Sequence, residues 1–503
     1  MADQLYIGID SGTQGTKGVL LSAQSGDLIG ESYHGYGLIE NERGGREQHP
    51  DTWIEACEKV FSDLLTPPHV NPTEVRAIGV SGQQHGMVPV DRQGRVIRAA
   101  KLWCDTETTR QCGIITSRAG GEQAVLKAIG NQVAVGFTAS KVLWLNDTDP
   151  EEYERLATVL LPHDYINFWL TGEQVTEFGD ASGTAYFDVV NRCWSETLLE
   201  AIDPSGKFRD CLPGFVAADE PAGRVRKEIC ERFGLSADVI VSSGGGDNMM
   251  AAIGTGNVVP GVVTASLGTS GTIYAYSAQP VVDESGELAS FCSSSGGWLP
   301  LVCTMNVTVA TELVRSLLGL GLKEMNLLAE SAPPGAEGLL LLPYFNGERT
   351  PPLPESTANL GGMTGLNMTS QNFCRAAMEG ATFGLRYGLE VIRRNGIEPR
   401  EIRLTGGGAK SGLWRQLVAD IFNCEVVCVE REEAGAVGAA LQALWCAEKM
   451  AGRQTPLEGI TARFVALDEQ TRCEPGRDSV ARYEELYATY LSYDQALRPL
   501  NGA

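Results

Sequence analysis

The sequence predicts an α/β protein of two like domains with a ligand cleft between them, and three observations carry that prediction. First, Tyr6-Ile7-Gly8-Ile9-Asp10 runs into Ser11-Gly12-Thr13-Gln14-Gly15-Thr16-Lys17 and on into Gly18-Val19-Leu20-Leu21. Two apolar runs around a glycine and hydroxyl turn read as a β-hairpin. Second, the Gly-Thr-x-Gly-Thr turn returns 256 positions later as Gly268-Thr269-Ser270-Gly271-Thr272, again between strand-like runs. A unit repeated at half the chain length implies two like domains. Third, 503 residues exceed one ordinary core, and a hydrophobic content of 43% is enough to fill two. The expected domains are 1–252 and 253–503.

The repeated turn has readable chemistry. Glycines let a backbone approach a ligand closely, their N–H groups can form an anion nest, and Thr hydroxyls add donors for phosphate oxygens. Gly12, Thr13, Gln14, Thr16 and Lys17 in the first copy, with Gly268 and Thr269 in the second, are therefore candidates to hold a polyphosphate. A Gly-Thr turn also serves in hairpins that bind nothing, and the repetition is what favours the phosphate reading. Asp10 ends the first strand where the second copy has Ser266. A carboxylate beside polyphosphate calls for a cation, most simply water-bridged Mg²⁺. The Walker pattern fails at Gly408-Ala409-Lys410-Ser411, and the glycines at 8, 12 and 15 do not make Gly-x-Gly-x-x-Gly.

In chain order, Asp51 is the expected cap of a helix whose apolar face is Trp53, Ala56, Cys57, Val60, Phe61 and Leu64. Val75–Val80 is a strand that ends in Ser81-Gly82-Gln83-Gln84-His85-Gly86, followed by Trp103 and Asp105. Amides, an imidazole and a carboxylate suit hydroxyl groups while an indole covers a C–H face, so this cluster fits a polyhydroxylated ligand as well as it fits a polar loop beside a core Trp. Residues 136–148 read as a loop entering a helix, and 150–235 show turns but no recognisable site. At the midpoint Val239–Ser243 leads through Gly244-Gly245-Gly246 to Asp247-Asn248 at a helix start. There Asp247 is either a helix cap or a functional carboxylate at the crossover between halves. A long helix from about 371 to 395 carries Gly380, Gly384 and Gly388 on one stripe. Its Arg375, Glu379, Arg386 and Glu390 exclude a membrane span. Ile402–Thr405 enters Gly406-Gly407-Gly408-Ala409 before another helix, a surface that a base or phosphate could approach.

A net charge of −23 repels nucleic acid and anionic membranes alike. Thirteen scattered cysteines without C-x-x-C pairing indicate neither a zinc site nor a disulfide framework. With no signal segment and no membrane-length apolar run, a cytoplasmic protein is expected.

Taken together, Gly8-Ile9-Asp10-x-Gly12-Thr13, Gly82-Gln83-x-His85-Gly86, Trp103-x-Asp105, Lys141-x-x-Trp144, Gly244–Asn248, Ser266–Gly271, Leu342-Pro343-Tyr344 with Gly347–Pro351, and Gly406–Ala409 with Trp414-Arg415-Gln416 resemble the FGGY carbohydrate kinases over nearly the whole chain. Within that family the motif set is closest to the members acting on D-xylulose. The resemblance implies two actin-like, ribonuclease H-like domains with ATP and sugar in the cleft between them. It implies Asp247 as general base on the sugar hydroxyl, Asp10 near Mg²⁺ and the phosphates, Gly268 and Thr269 on the phosphates, and Gly407, Gly408 and Ala409 by the adenosine. Gln84, His85, Trp103, Asp105, Asp247 and Asn248 line the implied sugar site. Partners are then a small ketose and ATP, with a homodimer left open. The family usually has Met at position 84, Asn at 104 and often Arg at 107, where this chain has Gln84, Cys104 and Glu107. All three flank the sugar, which leaves kinases of other ketoses or polyols as alternatives. An actin-like filament protein or chaperone-type ATPase would share the hairpins but has no use for the sugar-type cluster, and intact Asp10 and Asp247 count against a sugar sensor without catalysis.

Overall fold

The computed structural model describes residues 3–500. Strand β1 (Leu5–Ser11) is buried along nearly its whole length, as a strand covered on both faces must be. It forms the predicted hairpin with β2 (Gly15–Ser22), and β3 (Leu28–Gly35) continues the meander. On the other side of β1 lie β4 (Val75–Gly82), parallel to it, then β6 (Ile240–Ser242), parallel to β4, with β5 (Pro221–Arg224) antiparallel at the edge. The order is β3-β2-β1-β4-β6-β5.

The second half repeats this six-strand path, while the first sheet has in addition the two-residue strand Gly245–Gly246 parallel to the end of β4. Strands β7 (Val262–Leu267), β8 (Gly271–Ala275) and β9 (Leu301–Thr304) form the meander. Then β10 (Glu401–Thr405) and β11 (Glu425–Val429) add in parallel, and β12 (Leu467–Cys473) closes the edge antiparallel, giving β9-β8-β7-β10-β11-β12. Two sheets of one topology are the actin-like, ribonuclease H-like architecture.

Helices position the strand ends. Helix α1 (Pro50–Leu65) packs Trp53, Cys57, Val60, Phe61 and Leu64 on the first sheet. Its cap is His49, whose Nδ1 accepts the Asp51 N–H, so Asp51 lies in the first turn rather than at the cap; Pro50 opens the helix ahead of it. Helices α2 (Thr138–Thr148) and α3 (Pro162–Thr171) follow, then α4 (Asp247–Gly254) at the crossover. In the second half α5 (Ser370–Arg394) is the long predicted helix, packed along its glycine stripe by Leu341 and Val302. Helix α6 (Gly412–Phe422) follows the triple glycine.

The last helix of interest, α7 (Ala434–Met450), does not lie on the second sheet. It crosses to the first, where Ala436, Val437, Ala440, Leu441 and Leu444 share a core with Tyr6, Val19, Leu21, Ala77, Ile240, Met250 and Ile253. The approach is backbone to backbone: a Cβ on Gly8 would stand 1.9 Å from the Ala436 carbonyl oxygen, and one on Gly438 would stand 1.8 Å from that of Met250. Only glycine leaves room for such contacts. Among the described residues no helix is long and apolar enough to cross a membrane, and all thirteen cysteines are free thiols.

Candidate active site

Asp10 stands at the carboxyl end of β1, paired in register with Lys17 of β2 and Ser81 of β4. The Ser81 hydroxyl donates to its Oδ1 at 2.7 Å. Burial pushes the carboxyl up from its ordinary value; Ser81 and Lys17 work against that, and Glu433 adds to it. Lys17 is held by Glu433 at 2.6 Å, so Asp10 has no ion pair of its own among the described residues. A Cβ on Gly435, in the first turn of α7, would fall 2.7 Å from its Oδ2. A cavity of 780 Å³ opens here, lined among others by Asp10, Gly12, Thr13, Lys17, Trp103 and Glu433.

The first turn is tied to the neighbouring cluster. Thr13 Oγ1 donates to Gln83 Oε1 at 3.1 Å and accepts the indole N–H of Trp103 at 2.9 Å. The Gln14 side chain is exposed, and its carbonyl takes the Tyr33 hydroxyl. Thr16 is fully buried against Ser11 and Tyr36, facing away from the cavity that Lys17 lines. Consecutive strand residues point to opposite faces, and it is the Lys17 side chain that lines the cavity.

The second turn is pinned differently. The carbonyls of Gly268 and Thr269 accept the N–H groups of Thr308 and Val307 at 2.9 and 3.1 Å, while Thr269 itself is exposed. The β7 register pairs Leu267 with Gly271, one residue tighter than Ser11 with Thr16 in the first hairpin. Strand β10 runs parallel to β7 and delivers Gly406 against Leu267 and Gly268, with Gly407 exposed and Gly408 and Ala409 packed beneath. A second cavity, of 510 Å³, is bounded by Gly406, Gly407, Ala409, Lys410, Arg415 and Glu432 among others.

Asp247 is the first residue of α4, and Gly246 is the cap. Its Oδ1 accepts the backbone N–H of Asn248 at 2.7 Å and the Asn248 side-chain amide at 2.9 Å, whereas Oδ2 takes no hydrogen bond among the described residues. Burial pushes Asp247 up to about 7, and the Asp10 charge adds to the shift against the pull of the Asn248 N–H. A carboxylate titrating near neutrality with one oxygen uncommitted can accept a proton from a hydroxyl.

Gln84 reaches this pair: its Oε1 accepts from Asn248 Nδ2 at 2.9 Å. His85, in a left-handed conformation at φ 63°, lays its ring 4.4 Å from Phe137 and 5.9 Å from Phe291. Burial, reinforced by Lys141 and Arg349, holds it well below the ordinary imidazole range, so the ring is neutral. Trp103 is 44% exposed, an aromatic plate open to the cavity. Asp105 stands apart from them. It is fully buried, bonded to the Arg46 N–H at 2.8 Å, the Glu107 N–H at 3.1 Å and the Lys101 ammonium at 3.0 Å. Glu47 and Glu107 complete the ring around Lys101, at 3.1 and 2.7 Å. These three carboxylates are close enough together for a metal ion, but the ammonium stands among them and supplies the positive charge.

Several residues outside the expected site shape it, Lys141 from one of the family-like motifs and the others without any sequence signal. Lys141 is buried and donates to the carbonyls of His85 and Gly136 at 2.5 and 2.6 Å; burial draws it down to about 7. Gln442 of α7 takes the Ser242 hydroxyl and the Gly244 N–H on its Oε1, both at 2.9 Å, and donates to the Gly244 and Ser294 carbonyls at 3.1 Å. It thereby fixes the glycine turn that sets Asp247. Residues 150–235, where no site was expected, contribute a buried group of His163, Asp164, Glu177 and Asp180.

Comparison with known proteins identifies the family. The family model described as "FGGY family of carbohydrate kinases, N-terminal domain" matches residues 5–254, and the C-terminal domain model of the same family matches 263–447. The chain is 46% identical to the xylulose kinase of Haemophilus influenzae over 97% of its own length and 99% of the relative. It is 34% identical to that of Bacillus subtilis over 99% and 98%. The solved xylulose kinase of Bifidobacterium adolescentis superposes with a TM-score of 0.82 at 31% identity, over 96% of this chain and 99% of that one.

Proposed function

The chain belongs to the FGGY family of carbohydrate kinases, and from that premise we infer that it transfers the γ-phosphoryl group of ATP to D-xylulose, giving D-xylulose 5-phosphate. The observation that carries the mechanism is the pair of unlike carboxylates, Asp10 at one strand end and Asp247 at the adjoining helix start, with Oδ2 of Asp247 free. Phosphoryl transfer needs positioning, neutralised phosphate charge and a base near the attacking hydroxyl.

Asp247 accepts the hydroxyl proton on Oδ2. Asn248 and neutral His85 frame the sugar with Gln84 behind Asn248 and Trp103 across the sugar's C–H face, and Asp105 supports that wall from within the Lys101 cluster. The backbones of Gly12, Thr13 and Gln14, the Lys17 ammonium and the Gly268-Thr269 turn hold the phosphates, with Thr16 bracing the first hairpin from inside. Gly407, Gly408 and Ala409 receive the adenosine. The donor set at Asp10 fits Mg²⁺: an oxygen ligand, unpaired with any cation and raised by burial, at the mouth of a cavity wide enough for waters. A bound Mg²⁺ would supply charge neutralisation on the phosphate oxygens. The division at 252/253 assigns the sugar wall to the first half and the adenosine surface to the second. Free thiols throughout suit a reducing compartment such as the cytoplasm.

A coupled ADP-release assay over pentuloses, hexuloses and polyols tests the substrate. Turnover should be highest with D-xylulose. Turnover only with glycerol, or with no sugar at all, would overturn the assignment.

A further inference from the structure

Beneath the acceptor site lies a set of buried ionisable groups for which phosphoryl transfer has no direct use. Helix α3 places His163 and Asp164 in its first turn, and the short turn Phe178–Ala181 brings up Asp180; all three are buried. His163 Nδ1 lies 2.7 Å from Asp180 Oδ2, and Nε2 lies 3.0 Å from Asp164 Oδ1. Apolar residues at such positions are commonly as stable or more so, so stability alone does not account for the pair. The second oxygen of Asp180, Oδ1, is buried without a well-formed hydrogen bond, and so is Nε2 of Gln84. One is an acceptor and the other a donor, each buried without a partner among the described residues, and Gln84 lies close enough to the Asp180 carboxylate to bear on its charge.

We propose that His163 and Asp180 form a positioning pair for the acceptor site: Asp180, oriented by His163, takes the N–H side of the Gln84 amide, which fixes Oε1 on Asn248 and leaves Oδ2 of Asp247 open to the sugar hydroxyl. An amide has nearly the same shape when flipped, so its surroundings must choose its orientation. Between a carboxylate and the Asn248 amide donor only one orientation satisfies both ends. The flipped amide sets oxygen against oxygen at Asp180 and N–H against N–H at Asn248, and Asn248 then loses its grip on Asp247 Oδ1. Gln84 is 5% exposed, consistent with a strut behind Asn248 rather than a donor to the sugar. The assignment builds on the role of Asp247 proposed above.

The test is a double-mutant cycle of Asp180→Asn and Gln84→Met. An Asn at 180 can still meet His163 through its oxygen but then turns an N–H toward Gln84, reversing the polarity that sets the amide. Asp180→Asn should lower kcat about tenfold with the KM for ATP within about twofold, and in the Gln84→Met background, which has no amide to orient, the same change should shift kcat by less than about twofold. An equal loss in both backgrounds, or no loss in a folded Asp180→Asn protein, overturns the proposal. Should Asp180→Asn not fold, Gln84→Met alone decides: a lower kcat with unchanged discrimination among ketoses supports positioning, and altered discrimination with kcat preserved makes Gln84 a direct sugar contact. Asp247→Asn measured in parallel separates the two levels, because full turnover there removes the base while the cycle still reports on Gln84.

Discussion

Asp247 meets two opposed demands. A helix start favours a carboxylate, yet burial and the Asp10 charge raise it to about 7. Asp247→Asn should retain fold and ATP binding while kcat falls roughly 10²–10⁴-fold, because the amide cannot accept the hydroxyl proton. A late deprotonation in a loose transition state would place the loss at the low end. In the parent, kcat/KM for D-xylulose should rise with pH through about 7 and then level off, since the free base must be ionised. The same raised value works against the fold once the group ionises. The penalty is absent below the unfolded carboxyl value, grows as pH climbs toward 7 and is full above it. Melting curves of Asp247→Asn should therefore lie above the parent at pH 8 and converge with it near pH 4; a lower melting point at both would mark a structural residue. Thr269→Val should weaken ATP more than sugar in calorimetry, because it removes an exposed hydroxyl at the second turn and little else. At this scale the motif residues Asp10, Gln84, His85 and Asp247 were legible because glycine turns flag them. His163, Asp180 and Gln442 were not: Gln442 is a lone polar side chain in an apolar helix with its partners about 200 residues away, and the His163–Asp180 pair joins a helix start to a separate turn with no spacing that announces it.

Among the elements, α7 is bound most tightly to the catalytic geometry. Its first turn lies against Asp10, and two turns later Gln442 grips the Gly244 turn. Gly438→Ala would drive a methyl into the Met250 carbonyl and push α4, with Asp247, off its seat. Such overpacking typically costs about 1–3 kcal/mol, so a lower melting temperature and a fall in kcat should appear together. A variant that melts lower but turns over normally would show that α4 tolerates the shift. The hairpins, the strand-glycine-helix units and the long α5 could be read from periodicity and turn chemistry. The destination of α7 could not, because an alanine-rich helix fits many flat surfaces, and the one it meets is assembled from distant stretches around Tyr6, Val19, Ala77, Ile240 and Met250.

For the whole molecule, the family motifs made the two-domain plan legible, while the identical pairing of the two sheets is visible only in three dimensions, since β5 and β12 share no sequence pattern. On the proposed reading each half contributes one turn to the phosphates, so the halves come together around the substrates, and small-angle scattering should give a smaller radius of gyration with sugar and nucleotide than without. An unchanged profile under saturating ligands would count against closure. The crossing of α7 also has a consequence for biosynthesis. One face of the first sheet is covered by residues 434–450, with Leu457, Ile460 and Phe464 beside them, all of which leave the ribosome after the strands they cover. The N-terminal half therefore waits, with the Gly8 face bare, until most of the chain has been made, at roughly 5–20 residues per second. A nascent chain arrested before residue 434 should be cut by protease throughout residues 1–252, and adding the missing C-terminal segment in trans should restore protection.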